Sequence, residues 1–148
     1  METLIWSLLE DRTDRLALNR ATMSLLFREL IASETVQSST DEDRLLVDRA
    51  LQYIEAEYSH ASLSEFARRE SIEVYTISRR IKSATGCTFR ELLQTSRLVH
   101  AAALLRQTDL SVSDIADAVG YSNLSWFYRA FSLRYEGTPA AYRRYHKL

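Results

Sequence analysis

Apolar residues recur every three or four positions along most of this chain, and short polar stretches interrupt them at fixed places. Val47, Leu51, Ile54 and Tyr58 fall on one face at helical spacing, behind a Thr40-x-x-Asp43 start signal with acids at the positive end of the helix. Leu92, Leu93, Leu98, Ala101, Leu104 and Leu105 give Phe89 to Gln107 one wide apolar face. That stretch predicts a single continuous helix, roughly 28 Å long at 1.5 Å per residue.

Two further stretches share one pattern. Ser62-Leu-Ser-Glu-Phe-Ala leads to Ile77-Ser-Arg-Arg-Ile-Lys82, and Ser111-Val-Ser-Asp-Ile-Ala leads through Val119-Gly-Tyr-Ser to Phe127-Tyr-Arg-Ala-Phe131. Ser62-x-x-Glu65 and Ser111-x-x-Asp114 are capping boxes, each followed by an apolar pair, Phe66-Ala67 and Ile115-Ala116. The copies are offset by 49 residues at the first helix and by 50 at Ile81 and Phe131, so the second turn is one residue longer. Each copy predicts a short capped helix, a tight turn and a longer helix, which is a helix-turn-helix. Two copies are a duplication and not a solenoid. The units are expected at about 61–87 and 110–137, joined by the helix at about 89–107, within a folded domain at 41–148.

The second helix of each copy has two distinct faces. In the first, Val74, Ile77, Ile81 and Ala84 predict a core face, and Tyr75, Ser78, Arg79 and Lys82 an outer one. In the second, Phe127 and Phe131 are core, opposite Ser125, Tyr128, Arg129 and Ser132 at the same spacing. Arginine near the centre of each outer face can bond two acceptors of a guanine edge. The plain alternative is a solvated face of an amphipathic helix, and the shared polar register of two copies weighs against it. Ser122 and Asn123 are expected to cap the last of these helices and to present free N–H groups to phosphate. Lys82, Arg90, Ser132 and Arg134, with Arg143, Arg144 and Lys147, are candidates for contacts to a phosphate backbone, although each also fits an ordinary surface charge. Arg97, inside the long helix, is expected to form an internal ion pair. Trp6 and Trp126 are read most simply as packing residues, although Trp126 adjoins the outer face of its helix.

Composition narrows the picture. Three glycines and one proline in 148 residues, with 46% apolar content, favour an all-α chain. The net charge of −1 does not favour nucleic acid, but its distribution does: four basic and no acidic residues lie between Val74 and Arg90. Residues 1–40 carry net −2 and residues 41–148 net +1. The lone Cys87 excludes an internal disulfide and suits a reducing compartment. The start Met1-Glu-Thr-Leu-Ile-Trp lacks the marks of a signal peptide, and no stretch reaches the length of a membrane span, so a cytoplasmic protein is expected. His60, His100 and His146 are far apart and lack metal-ligand spacing. No glycine-rich phosphate loop and no nucleophile with a base is visible, so no enzyme, cofactor or metal is expected.

Residues 1 to about 37 predict two helices, and Thr35 to Thr40 a polar linker. Leu4, Ile5, Leu8 and Leu9 form one stripe, and Leu16, Met23 and Leu30 recur every seven residues, with Leu26 and Phe27 between them. This is either a helix packed on its own domain or a small homodimer seam.

With those residues in view, the chain from about 43 to 146 resembles the DNA-binding domain of AraC/XylS-type transcription regulators. The resemblance rests on Arg97-Leu-x-x-Ala101, Leu104-Leu105, Thr108, Ile115-Ala116, Val119-Gly-Tyr-Ser122, Phe127-x-Arg-x-Phe131 and Thr138-Pro-x-x-Tyr142-Arg143, in family order and spacing. It implies an all-α, homeodomain-like pair of helix-turn-helix units that enter successive major grooves of double-stranded DNA. Base-reading positions then fall on Tyr75, Ser78 and Arg79, and on Ser125, Tyr128 and Arg129. It also implies a bacterial regulator, most often an activator that touches RNA polymerase. The family's sensory β-barrel has no counterpart here. Residues 1–40 resemble the helices that close that domain and carry its dimer contacts, so the sequence reads as a C-terminal piece or as a naturally short regulator. A module that keeps the fold to bind protein instead of DNA is the alternative function.

The departures are specific. Ser71 stands for the usual turn glycine, Glu73 for the usual capping serine, Thr76 for a common aromatic and Ile81 for phenylalanine. These predict a first reading head that docks weakly or tolerates many sequences. Glu136 holds the usual glycine position with Gly137 behind it, which predicts that the preceding helix ends one residue late.

Overall fold

The computed structural model describes residues 41–147, and every regular element among them is a helix. In chain order these are α1 (Asp41–Glu57), α2 (Leu63–Glu70), α3 (Val74–Thr85), α4 (Phe89–Gln107), α5 (Val112–Ala118), α6 (Leu124–Tyr135) and α7 (Pro139–His146). The expected helices and dimer seam of residues 1–40 lie outside the described residues. None of the described helices is long and apolar enough to cross a membrane.

Local chemistry sets most helix starts. The Ser62 hydroxyl accepts from Glu65 N–H and the Ser111 hydroxyl from Asp114 N–H, satisfying donors that the helix itself cannot. Neither acid closes a reciprocal box. The Glu65 carboxylate is taken by Arg68 and Arg69, and that of Asp114 accepts from the Ser111 hydroxyl at 2.7 Å. The reciprocal box forms at Thr88 and Glu91, which start α4. α3 is the exception: Glu73 stands at its N-cap with no capping bond from its side chain.

The duplication is visible in the turns. Ile72 N–H bonds to Ala67 C=O in the first and Tyr121 N–H to Ala116 C=O in the second, so Ser71 and Gly120 hold matching left-handed positions at φ 55° and 92°. The extra residue of the second turn lies beyond that point, between Gly120 and Asn123. α6 ends at Tyr135 with Glu136 itself left-handed at φ 55°, in register with Gly86 after α3. The late end expected there does not occur: α6 stops at the position where α3 does, and Glu136 takes the strain that a glycine avoids.

Two cores form, and α4 serves both. Phe89, Leu92 and Leu93 from its first half join buried residues of α1, α2 and α3, including Leu46, Ile54, Phe66, Ile77 and Ile81. Leu98, Ala101, Ala102 and Leu105 from its second half join Ile115, Val119, Phe127, Phe131 and Tyr142. Complete burial of such a side chain contributes about 1.5–3 kcal/mol. Val74, expected in the first core, is 41% exposed, because it stands at the first position of α3, before the helix turns into the core at Ile77.

The two units meet at the α1–α2 loop. The Tyr58 side chain packs against both cores. Arg97, midway along α4, donates from Nε to the Tyr58 carbonyl at 2.7 Å and from Nη2 to the Ser59 carbonyl at 3.2 Å. The ion pair expected of Arg97 is replaced by these backbone acceptors, and the loop is thereby fastened to the middle of the connecting helix.

Candidate nucleic-acid interface

The first candidate reading face is carried by α3. Tyr75 and Arg79 are exposed, Ser78 is half-buried, and Lys82 projects near the helix end. Tyr75, Ser78, Arg79 and Lys82 line one shallow depression of about 360 Å³ together with Ser83 and Thr88. The Lys82 ammonium donates to the Gly86 carbonyl and lies 3.9 Å from the Glu91 carboxylate, so it closes the end of its own helix. Glu73 sits at the opposite end and accepts a hydrogen bond from the Thr76 hydroxyl at 3.1 Å. That places a carboxylate where a capped helix start would offer bare N–H groups to an anion.

The second face is carried by α6, which is built more firmly. Asn123 accepts from Trp126 N–H at 3.0 Å and caps it, whereas the exposed Ser122 stands one residue outside the helix. Phe127 and Phe131 are wholly buried, with ring centroids 5.7 Å apart, and Phe131 meets Tyr135 at 4.6 Å and Tyr142 at 5.4 Å. This packing fixes the opposite side of the helix: Ser125 and Arg129 are exposed, and Tyr128 and Ser132 half-buried. Tyr128 stands edge-on to Phe127 at 6.3 Å, which leaves its ring at the boundary of the face.

A groove of about 520 Å³ runs between α6 and the first half of α4. It joins Arg90, Ser122 and Asn123, expected at the phosphate backbone, and Arg129, expected at the bases, with Gln94 and Trp126. Ser125, Tyr128, Ser132 and Arg134 do not line it; Arg134 is exposed in the last turn of α6. Arg97 and Tyr121 form its floor. Burial draws the Arg97 guanidinium below its ordinary range and pushes the Tyr121 hydroxyl above its own. Trp126, expected to pack, is 62% exposed, with the Arg129 guanidinium 5.9 Å from its ring centroid. Its place three residues before Arg129 is the signal that marks it for this surface.

Two other candidates for backbone contact are committed inside the protein. Arg143 donates to the Leu105 and Leu110 carbonyls, and Lys147 pairs with Asp109. Arg144 lies over the Tyr145 ring. Among the described residues no group of His, Cys, Asp or Glu is arranged to hold a metal ion.

Known proteins share this arrangement. Residues 66–145 match the family model described as a helix-turn-helix domain. The HTH-type transcriptional activator RhaR of Mannheimia succiniciproducens is 38% identical over 81 residues, covering 55% of this chain and 29% of that protein. The C-terminal domain of AraT, a response regulator from Geobacillus stearothermophilus, superposes with a TM-score of 0.65 at 34% identity, over 70% of this chain and 87% of the domain. The DNA-binding domain of the global transcriptional factor AdpA, solved with a target DNA, superposes with a TM-score of 0.58 at 27% identity, over 72% of this chain and 93% of that chain. The chain thus spans under a third of the full-length activator and most of the isolated domains.

Proposed function

The chain belongs to the AraC-type helix-turn-helix family, and from that membership we propose that it is a sequence-specific double-stranded DNA-binding protein that regulates transcription, as an activator. One observation carries this reading: α3 and α6 present the same polar register, with Arg79 and Arg129 at matching positions, on either side of one continuous helix. α4 spans roughly 28 Å, close to the roughly 34 Å that separates successive major-groove faces. Tyr75, Ser78 and Arg79 read bases in the first groove; Ser125, Tyr128 and Arg129 read them in the second. Arg90, Ser122, Asn123, Ser132 and Arg134 meet the phosphate backbone, with Lys82 at the edge of the first head. RNA polymerase is the partner an activator requires. Residues 1–40 supply a homodimer contact, and the site of action is the cytoplasm. No catalytic role is assigned.

Selection from a random duplex pool at two salt concentrations tests the reading, with the Arg79→Ala/Arg129→Ala double variant alongside. Enrichment of two short blocks about one helical turn apart, absent for the variant, supports it. Salt-sensitive retention without an enriched sequence reduces it to non-specific binding. No retention at low salt moves the function to protein binding, which the net charge of −1 favours.

A further inference from the structure

Eight large apolar side chains are exposed among the described residues, and four of them stand in the first turns of α3 and α6. Val74 and Leu124 hold the same position in the duplication, and each is 41% exposed. Tyr75 is 70% exposed and Trp126 is 62% exposed. The cores do not need these residues, since Ile77 and Phe127 take the first inward positions of their helices and are completely buried. Scattered exposed apolar residues are ordinary; one matched pair, Val74 and Leu124, with an exposed ring beside it in each of two duplicated helix starts is not, although the rings themselves hold different positions, Tyr75 opposite Ser125 and Trp126 opposite Thr76.

The neighbours of these residues point to what covers them. Tyr75 lines the α3 depression with Arg79, and Trp126 lines the α6 groove with Arg129. The two rings and the arginines therefore meet the same surface, and Val74 and Leu124 stand exposed in the same first turns. When a recognition helix enters the major groove, its first turn comes closest to the base edges. That groove displays one apolar group, the 5-methyl of thymine, beside the guanine acceptors that arginine reads.

We propose that the first turns of α3 and α6 read thymine 5-methyl groups, through Val74 and Tyr75 in the first unit and through Leu124 and Trp126 in the second. The inference rests on the DNA-reading function and adds its base chemistry: each block of the operator holds thymine beside an arginine-read guanine. In the second unit the Trp126 ring also limits where the Arg129 guanidinium can lie, so the methyl and the guanine are read as one step.

Methyl-deletion scanning tests this with the full chain and a selected duplex. Each thymidine is replaced singly by deoxyuridine, which removes the 5-methyl and nothing else. Covering one methyl group is worth about fourfold in affinity. The wild-type chain is expected to lose about that factor at one or two positions in each block. Trp126→Ala and Leu124→Ala are expected to lose the sensitivity in the second block alone, and Tyr75→Ser in the first alone. These side chains are exposed, so the melting transitions of the variants should match the wild type. Uridine tolerated everywhere, in a duplex that still binds selectively, overturns methyl reading and leaves the DNA-binding function standing. Sensitivity that persists in the variants overturns the assignment to these residues. Selected blocks without thymine overturn the inference outright, and no enriched sequence overturns it together with the function beneath it.

Discussion

Gly120 presses against the Ser59 backbone so closely that a Cβ on it would lie 2.3 Å from the Ser59 carbonyl oxygen. The same Cβ would come within 3.0 Å of the Arg97 guanidinium that bonds this carbonyl. With φ at 92°, the position excludes a side chain on two independent grounds. Gly120→Ala is expected to destabilise the domain by about 2–5 kcal/mol, from backbone strain and overpacking together. Chemical denaturation measures this; an unchanged midpoint would mean that the α1–α2 loop moves aside without cost.

Phe131 anchors the second core, wholly buried among Phe127, Tyr135 and Tyr142. Phe131→Ala should cost about 3–5 kcal/mol through the cavity it leaves. A clear drop in melting temperature is expected, and an unshifted transition would contradict the packing.

Arg129 is exposed at the centre of the second reading face. Arg129→Ala should weaken binding to the selected duplex by about 1–3 kcal/mol and relax the choice of base at one position. Titration against the cognate duplex and its single-base variants separates this from general weakening; equal losses on all sequences would make Arg129 a phosphate contact.

Glu73 leaves α3 without a side-chain cap. Glu73→Ser should add about 1 kcal/mol of stability by capping the helix. It should also tighten DNA binding by removing a carboxylate from the first head. Lower stability would mean that the Thr76–Glu73 hydrogen bond outweighs a serine cap, and weaker binding at equal stability would show that Glu73 has a favourable partner on the DNA.

Much of this architecture was legible in the chain because it is written in spacing. α4 is marked by its apolar positions from Leu92 to Leu105. The matched faces of α3 and α6 follow from one register repeated. Features set by the third dimension were not legible. The acceptors of Arg97 are backbone carbonyls nearly forty residues away, and no side-chain identity announces a carbonyl. Val74 is apolar, and periodicity alone assigns it to a core; its exposure depends on where α3 begins, while the place of Trp126 beside the outer face was legible and the extent of its exposure, set by what α4 leaves uncovered, was not. Arg143 looked like any basic residue near a terminus until the end of α4 and the α4–α5 loop brought the Leu105 and Leu110 carbonyls to it.

The clasp of Arg97 on the α1–α2 loop, with Gly120 closed against the same carbonyl, has a consequence for the partner molecule. It makes the two heads a gauge with a single setting. Inserting one base pair between the operator blocks displaces the far block by about 3.4 Å and turns it by about 34° around the DNA axis. A slack tether would follow that change; a clasped helix resists it, and under the proposed binding the duplex is then expected to bend or twist to restore the fit. Under the proposed two-headed binding, the bases between the blocks enter the affinity through how easily they deform.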